Sequence, residues 1–469
     1  MNPAGGEAKA HVHFIGIGGS GLSAIARMLK ESGYIVTGSD RTLSSFATDL
    51  QSAGVKIHIG HEAANIQGAD WVVRSSAVSD DNVEVEAARK AGIPVYRRAD
   101  FLGQFMTGKT GIAVAGTHGK TTTTAMIAFA LAQMKQDPSF IVGGVLNNLG
   151  VNARAGAGSL IVVEADEYDR MFLGLKPKIE VVTSVEHDHP DCYPTFADMF
   201  AAFQAFISLL PRDGYLVACA DNEGAASLMR EASQQRRQVM AYTVVRNRAL
   251  DAERWMRATQ ARPNQRGGFD FQAAANVGPD PTTPVSLQVP GEHNVGNALA
   301  ALSVVALLGL SIKEAAGALE AFTGAGRRFE VKGERKGIVV VDDYAHHPTE
   351  IKATLAAARA RYPGRRIWAV WQPHTYSRTK ALFAGFVDAF ADADETIVTE
   401  IYAAREPKQD FSSEQVVRAI SRDSVRYIPS LEDVTRYLLQ HVRSNDVVIV
   451  LSAGDADQIG TQVLAGLEE

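Results

Sequence analysis

Val114-Ala-Gly-Thr-His-Gly-Lys-Thr-Thr-Thr-Thr124 is the stretch that decides the fold. Gly111-Ile-Ala-Val-Ala115 before it reads as a short buried strand, and Ala125-Met-Ile-Ala-Phe-Ala-Leu-Ala-Gln-Met134 after it as an apolar helix. A strand, a glycine-bearing turn and a helix form the setting of a phosphate-cradling loop. The glycines let phosphate oxygens approach the backbone, and N–H groups at the helix start point at them. Lys120 adds a positive charge and Thr121 a hydroxyl for Mg²⁺. The spacing is shorter than in the common motif: only Thr117 and His118 separate Gly116 from Gly119, and Val114 stands where the longer motif has glycine. The threonines from Thr121 and Thr122 onward are poor helix interior, which argues against an ordinary strand-to-helix turn.

Working outward, 469 residues suggest about three domains of ~150 residues each. Lys and Arg number 47 against 53 Asp and Glu, a net charge of −6 that argues against nucleic acid as a partner. Cys192 and Cys219 are the only cysteines, so no disulfide framework is implied and a reducing cytoplasm fits. Residues 1–10 are small and polar, without the layout of a signal peptide. No apolar run reaches ~18 residues, so no membrane insertion is expected.

Upstream, residues 1–107 are expected to form a first domain. His11-Val-His-Phe-Ile15 reads as a strand, followed by Gly16, Gly18, Gly19, Ser20 and Gly21 in a Gly-x-Gly-x-x-Gly turn and a helix from Leu22 to Lys30. The next strand ends at Ser39-Asp40. This is a dinucleotide-type βαβ unit with an acidic residue ending its second strand. It places a diphosphate at a helix start without specifying NAD. Further βα units include the strand Trp71–Ser75, and Thr107-Gly-Lys109 reads as a linker.

Residues 108–321 are expected to form the central domain around the phosphate loop. The strand Leu160–Val163 ends in Glu164-Ala-Asp-Glu167, and Val181–Val185 ends in Glu186-His-Asp-His-Pro-Asp191. In parallel sheets ligands bind beyond the carboxyl ends of strands, so Glu164 and His189 become metal-ligand candidates beside the loop. Residues 235–290 alternate strand-like and turn-like pieces, as a small antiparallel side sheet would. Asn294 and Asn297 share a face of the next helix, and their amides could cap it or read a purine edge.

Residues 322–469 are expected to form a third domain. Its strands end in Asp342-Asp343-Tyr-Ala-His346-His-Pro348, in Gln372-Pro-His374-Thr-Tyr376-Ser-Arg378-Thr379, in Glu400-Ile-Tyr-Ala-Ala-Arg405-Glu406 and in Ser452-Ala-Gly-Asp455. Polar residues at successive strand ends point to one rim of a site. The paired histidines lack cysteines, and no zinc site is assigned. The expected fold is therefore α/β in three domains, Rossmann-like at both ends, with a central P-loop ATPase-like parallel sheet. Such a cleft suits joining two substrates at the expense of ATP, because phosphorylating a carboxylate turns a poor electrophile into one with a good leaving group.

Gly116-Thr-His-Gly-Lys-Thr-Thr-Thr123, Glu164-Ala-Asp-Glu167, His293-Asn-Val-Gly-Asn297, Arg327-Arg-Phe329 and Asp342-Asp-Tyr-Ala-His-His-Pro348 together resemble the Mur ligases of peptidoglycan synthesis, from His11 to Ile459. Gly16-Ile-Gly-Gly-Ser-Gly21, Gln372–Thr379 and Ile401–Glu406 are most similar to the branch that adds L-alanine. The resemblance implies that UDP-N-acetylmuramate, L-alanine and ATP are the partners. It places the UDP part on the first domain, at Gly16, Gly18, Gly19, Ser20, Gly21, Asp40 and Ser75. ATP is implied between the other domains, at Gly116, Thr117, His118, Gly119, Lys120, Thr121, Thr122, Asn294, Asn297 and Asp343. Thr121 and Glu164 are implied to bind one Mg²⁺ and His189 a second, with Mn²⁺ able to substitute and no carbamylated lysine. Lys120, Glu164, His189 and either Arg327 or Arg328 are the implied catalytic residues. His346, His374, Tyr376, Arg378 and Arg405 are the candidates for placing alanine. A monomer or weak homodimer is expected. The rivals are a ligase that adds a whole tripeptide to the same sugar nucleotide, a Rossmann oxidoreductase and a non-catalytic nucleotide-binding protein.

Overall fold

The computed structural model describes residues 9–468 apart from 246, 247, 249, 251 and 280, so most of the polar N-terminal stretch lies outside the described residues. Three sheets follow one another along the chain. The first is wholly parallel and has five strands, in the order Lys56–Ile59, Ile35–Asp40, His11–Ile15, Trp71–Arg74 and Val95–Arg97. The second has ten strands, and the third has six with a single antiparallel edge strand, Glu330–Arg335.

The central sheet positions the site. Its strand Thr110–Ala115 lies between Leu160–Glu164 and Ile179–Val182, all parallel. Val114 is in register with Glu164, and Ala115 with Val182. The loop leaving Ala115 is therefore flanked on one side by the Glu164–Glu167 segment and on the other by Thr183–His189. Parallel strands buried on both faces read as near-continuous apolar runs, and these do. Of the strand-like pieces expected in the side sheet, 268–272 and 283–289 correspond to the antiparallel strands Phe269–Ala275 and Thr282–Ser286, but 239–244 is a parallel strand of the main sheet, and Arg254–Pro263, which pairs with it in parallel, joins the antiparallel pair to that sheet's edge.

The helix Lys120–Gln133 runs through the middle of the domain and packs against His293–Leu307. Both are apolar nearly all round, as helices enclosed by protein must be. The threonines of the first are accommodated by specific bonds. Thr121 Oγ1 donates to Glu164 at 2.9 Å, Thr123 Oγ1 to Asn297 at 3.1 Å and Thr124 Oγ1 to the Lys120 carbonyl at 2.7 Å. The third sheet carries a Val-rich centre, Ile338–Asp343 beside Asp446–Ser452, with apolar clusters on both faces.

Candidate active site

Gly116 and Gly119 both have positive φ, at 138° and 81°. A Cβ on Gly116 would collide with Thr183 Oγ1, and one on Gly119 would lie 2.7 Å from Asn297 Oδ1. The turn is thus tight enough to require glycine twice, and it leaves the start of the helix facing the strand ends. Lys120 Nζ lies 2.6 Å from the Gly116 carbonyl, 3.3 Å from that of Thr117 and 2.8 Å from Glu167 Oε1. Burial opposes its charge, but Glu167 and then Asp166 outweigh it and raise its pKa, so Lys120 is firmly cationic. Glu164 accepts from Thr121 through one oxygen and from the Gly143 N–H, at 2.6 Å, through the other.

Loops of the third domain close over this floor. The segment Gly324–Arg328 hydrogen-bonds to the hairpin of Ser139–Leu146 and Val151–Arg154, with Gly326 N–H donating to the Val145 carbonyl at 2.8 Å. Arg328 donates to Thr121 Oγ1 at 3.2 Å. Arg327 turns the other way: its Nε pairs with Asp342 at 3.0 Å and its Nη2 donates to the Ser452 carbonyl at 2.8 Å. Asp343 accepts from the Phe329 and Ala345 N–H groups, both at 2.8 Å, and burial pushes its pKa up to about 6 against the pull of Arg328. His118 bridges the domains, with Nε2 3.3 Å from Glu186 and Nδ1 3.3 Å from Glu350 of the third domain. Burial works against its charge, but the two carboxylates lift it to about 9.

His118, Thr121, Glu186, Arg328, Asp343 and Glu350 rim a cleft of about 430 Å³. Its polar end holds His118, Gly119, Thr121, Thr122 and Arg328, and its apolar end Tyr242, Val244, Val289 and Pro290. Asn294 and Asn297 line it, but their amides are engaged: Asn297 Nδ2 donates to Asn294 Oδ1 at 2.8 Å, and Asn294 Nδ2 to the Pro290 carbonyl at 2.7 Å. They brace the loop from below. Thr117 is buried, its hydroxyl accepting from the Glu186 N–H at 2.8 Å.

On the other side of Lys120 a second cluster joins the domains. Glu167 Oε1 lies 3.5 Å from His189 Nε2. Arg378 reaches from the third domain to Asp188 at 2.7 Å, to His374 Nδ1 at 2.9 Å and to His189 Nδ1 at 3.3 Å. Burial keeps His346 near 4 and His374 near 3, with the Arg378 guanidinium pushing both the same way, so both imidazoles are neutral. Arg405 stacks on Tyr168, 4.7 Å from the ring centre. Tyr376 is buried, and its N–H donates to Glu406 at 2.6 Å. His189 and Thr375 here, like Arg327 and Phe329 by the phosphate loop, have positive φ, uncommon for non-glycine residues.

In the first domain Gly16 has φ 82°, and a Cβ there would sit 3.0 Å from that of Ser75. Asp40 accepts from the Gly18 N–H at 2.8 Å and the Arg41 N–H at 2.7 Å, so it pins the glycine turn. Gly19 and Ser20 are exposed at the start of the helix Ser20–Glu31.

Three family models cover the chain in order: "Mur ligase family, catalytic domain" over residues 11–110, "Mur ligase middle domain" over 114–305 and "Mur ligase, glutamate ligase domain" over 327–454. The chain belongs to the Mur ligase family. It is 43% identical over 457 residues to the UDP-N-acetylmuramate--L-alanine ligase of Renibacterium salmoninarum, covering 97% of this chain and 96% of the relative. It is 44% identical over 462 residues to the enzyme of the same name from Geotalea daltonii, covering 98% of each. Among solved structures, the UDP-N-acetylmuramate-alanine ligase of Thermotoga maritima aligns with TM-score 0.79 and 27% identity over 98% of this chain and 99% of that one. A murein peptide ligase from Psychrobacter arcticus aligns with TM-score 0.71 and 26% identity over 98% of each.

Within this Mur ligase the residues singled out by sequence fall into three groups. Lys120, Thr121, Glu164 and Arg328 converge on the phosphate loop. His189, His346, His374 and Arg378 converge beside Glu167, with Arg405 at their edge. Gly16–Gly21, Asp40 and Ser75 form a separate turn. Sequence reasoning passed over Glu167, Asp188 and Glu186 as individual ligands, although all three lie in the acidic runs it singled out. Glu350 and Tyr168 carried no local signal. His118, Glu186 and His347 lie close enough to suggest a metal. However, His347 Nδ1 accepts from the Thr349 N–H at 3.2 Å, which puts its proton on Nε2, and His118 is already shared by two carboxylates. That trio suits a proton. The oxygen set of Thr121 and Glu164 instead matches the hard-ligand chemistry of Mg²⁺.

Proposed function

We propose that this Mur ligase joins L-alanine to the carboxylate of UDP-N-acetylmuramate with hydrolysis of ATP, releasing UDP-N-acetylmuramoyl-L-alanine, ADP and phosphate. The observation that carries the reading is the meeting of Lys120 and Thr121 with Arg328, whose guanidinium reaches the loop from another domain. Charges from two domains face the space where a γ-phosphoryl group would sit, and preorganised cations of this kind stabilise the charge that spreads during transfer. Full-length identity to the alanine ligases supports the choice of acceptor.

The muramyl carboxylate attacks the γ-phosphate to give an acyl phosphate, and the amine of alanine then attacks the activated carbonyl. Thr121 and Glu164 would hold one Mg²⁺ and His189 a second, and the metal supplies charge neutralisation on the phosphates. Lys120 exchanges Glu167 for phosphate oxygens, and Arg328 does the same from Thr121. Arg327 maintains the third-domain loop through Asp342. His346, held neutral by burial with Nδ1 on the Tyr344 carbonyl, accepts from the amino group through Nε2, while Arg378 is the cation for the alanine carboxylate, with His374, Tyr376 and Arg405 at its margin. The domains are taken as 1–107, 108–321 and 322–469. The enzyme acts in the cytoplasm, where ATP is supplied, as a monomer or weak homodimer. Among the described residues no helix is long and apolar enough to cross a membrane.

The test is phosphate release from ATP and Mg²⁺ with UDP-N-acetylmuramate, comparing L-alanine, a peptidoglycan tripeptide and no acceptor. Release should require both the sugar nucleotide and L-alanine. Release with tripeptide but not alanine would reassign the acceptor, and release with neither would overturn the reading.

A further inference from the structure

We propose that Arg98 is the cation that receives the diphosphate of the sugar nucleotide, and that it leaves Asp166 to do so. The inference rests on the function proposed above. The glycine turn Gly16-Ile-Gly-Gly-Ser-Gly21 contains no basic side chain. Its N–H groups at Ser20, Gly21 and Leu22 precede the first helical bond, from Ser23 N–H to the Gly19 carbonyl at 2.9 Å, so they point at a ligand without charge of their own. A diphosphate there calls for a counter-charge, and Arg98 is in place to provide it. It opens the helix Arg98–Phe105, and its guanidinium packs against Gly21, with Cζ 2.8 Å from where a Cβ of that glycine would be and Nη1 closer still. Glycine at position 21 is thus explained by the arginine as much as by the turn.

The helix is a fixed mount. Gly103 packs directly on the Gly174 carbonyl, with no room for a side chain, and Gly174 packs on the Ala99 backbone, so the first domain's last helix is held against the middle domain's segment Tyr168–Gly174. From that mount Arg98 Nη2 reaches Asp166 at 3.2 Å. The pair is solvent-contacting, the side chains being 25% and 39% exposed, and such pairs are weak. A diphosphate offering two or more anionic oxygens to the planar guanidinium is the stronger partner. Asp166 adjoins Glu167, which holds Lys120 at 2.8 Å. When Arg98 changes partner, an uncompensated carboxylate remains beside the phosphate loop. Occupancy of the sugar-nucleotide site is thereby communicated to the ATP site, and by linkage ATP must report back to the sugar nucleotide.

Calorimetric titration of the full chain tests this, with UDP, UDP-N-acetylmuramate and ATP as ligands. Arg98→Ala should weaken both uridine ligands about tenfold or more, the loss expected of a charge-assisted contact. Arg98→Lys should recover part of the affinity, and ATP binding to Arg98→Ala without sugar nucleotide should match that of wild type saturated with it, since both leave Asp166 uncompensated. Asp166→Asn removes the competing carboxylate and should tighten both uridine ligands a few-fold while abolishing the mutual effect of ATP and sugar nucleotide. Arg98→Ala binding UDP as wild type does would overturn the proposal, as would loss of UDP-N-acetylmuramate affinity with UDP unaffected, or unchanged affinity in Asp166→Asn. Should Arg98→Ala fail to fold, Arg98→Lys and Asp166→Asn decide the question on the same criteria. Failure of the wild-type protein to bind UDP-N-acetylmuramate would instead sink the proposed function.

Discussion

Two glycine turns, Gly16–Gly21 and Gly116–Lys120, each leaving a parallel strand of a different sheet, solve the same backbone problem with opposite electrostatics. Each follows a buried strand, uses positive φ, and opens a helix whose first N–H groups are free. The first turn is pinned by an acid, Asp40, and borrows its cation from another element. The second carries Lys120 within the turn and is ringed by Glu164, Glu167 and Glu186, with Arg328 above. A turn that only holds a diphosphate needs backbone and shape. A turn that must stabilise phosphoryl transfer needs charge that is fixed before the reaction begins. On this account the first turn determines affinity and the second determines rate.

The largest effect should come from Lys120→Ala, which should lower kcat by roughly 10³-fold while leaving UDP-N-acetylmuramate binding intact. Comparable loss of sugar-nucleotide affinity would merge the two roles. Next, Arg328→Ala should lower kcat by roughly 10²-fold with little change in thermal midpoint. Arg327→Ala should do the reverse, costing about 1–2 kcal/mol of stability because Asp342 loses its partner in a buried position. Equal kinetic losses in both variants would break the assignment of the doublet. Third, Gly18→Ala places a Cβ 2.8 Å from Ser44 Oγ and 2.9 Å from Asp40. It should raise KM for the sugar nucleotide about tenfold and leave KM for ATP unchanged.

The smallest effect concerns pH. His118 has its pKa raised from 6.5 to about 9, against burial, by Glu186 and Glu350. Stability from this bridge is therefore complete below about 6.5 and is lost as pH rises through about 9. Glu186, held near 2 against burial chiefly by the same histidine, contributes fully above about 4.5 and loses that contribution as pH falls through about 2. The difference in thermal midpoint between wild type and His118→Asn should shrink steadily from pH 6.5 to 9. A difference that grows over this interval would mean that His118 is neutral in the folded protein.

Both turns were legible in the sequence because their signals are local: glycine spacing, an apolar run before and an apolar helix after. The strand-end acids were legible for the same reason, since a parallel sheet presents its carboxyl ends together. What stayed hidden were partners brought in by tertiary approach. Glu350 meets His118 across 232 positions, and no periodicity marks it. Arg327 and Arg328 are neighbours with the same chemistry, and only left-handed backbone at Arg327 and Phe329 turns one inward and the other toward Thr121. Asn294 and Asn297 were open to capping or base recognition. The fold engages their amides with each other and with Pro290, because the helix they start must support the phosphate loop. Two of the antiparallel strands were readable from alternation, but the piece at 239–244, grouped with them, is a parallel strand of the main sheet, and the attachment runs through its parallel pairing with Arg254–Pro263.

The central claim is that the charged turn serves phosphorylation of a carboxylate. The most direct measurement uses UDP-N-acetylmuramate labelled with heavy oxygen in its lactyl carboxylate and follows the label by mass spectrometry after turnover with ATP and L-alanine. If the carboxylate attacks the γ-phosphate, one labelled oxygen leaves with each inorganic phosphate formed. Phosphate free of label, released alongside the ligated product, would contradict the account.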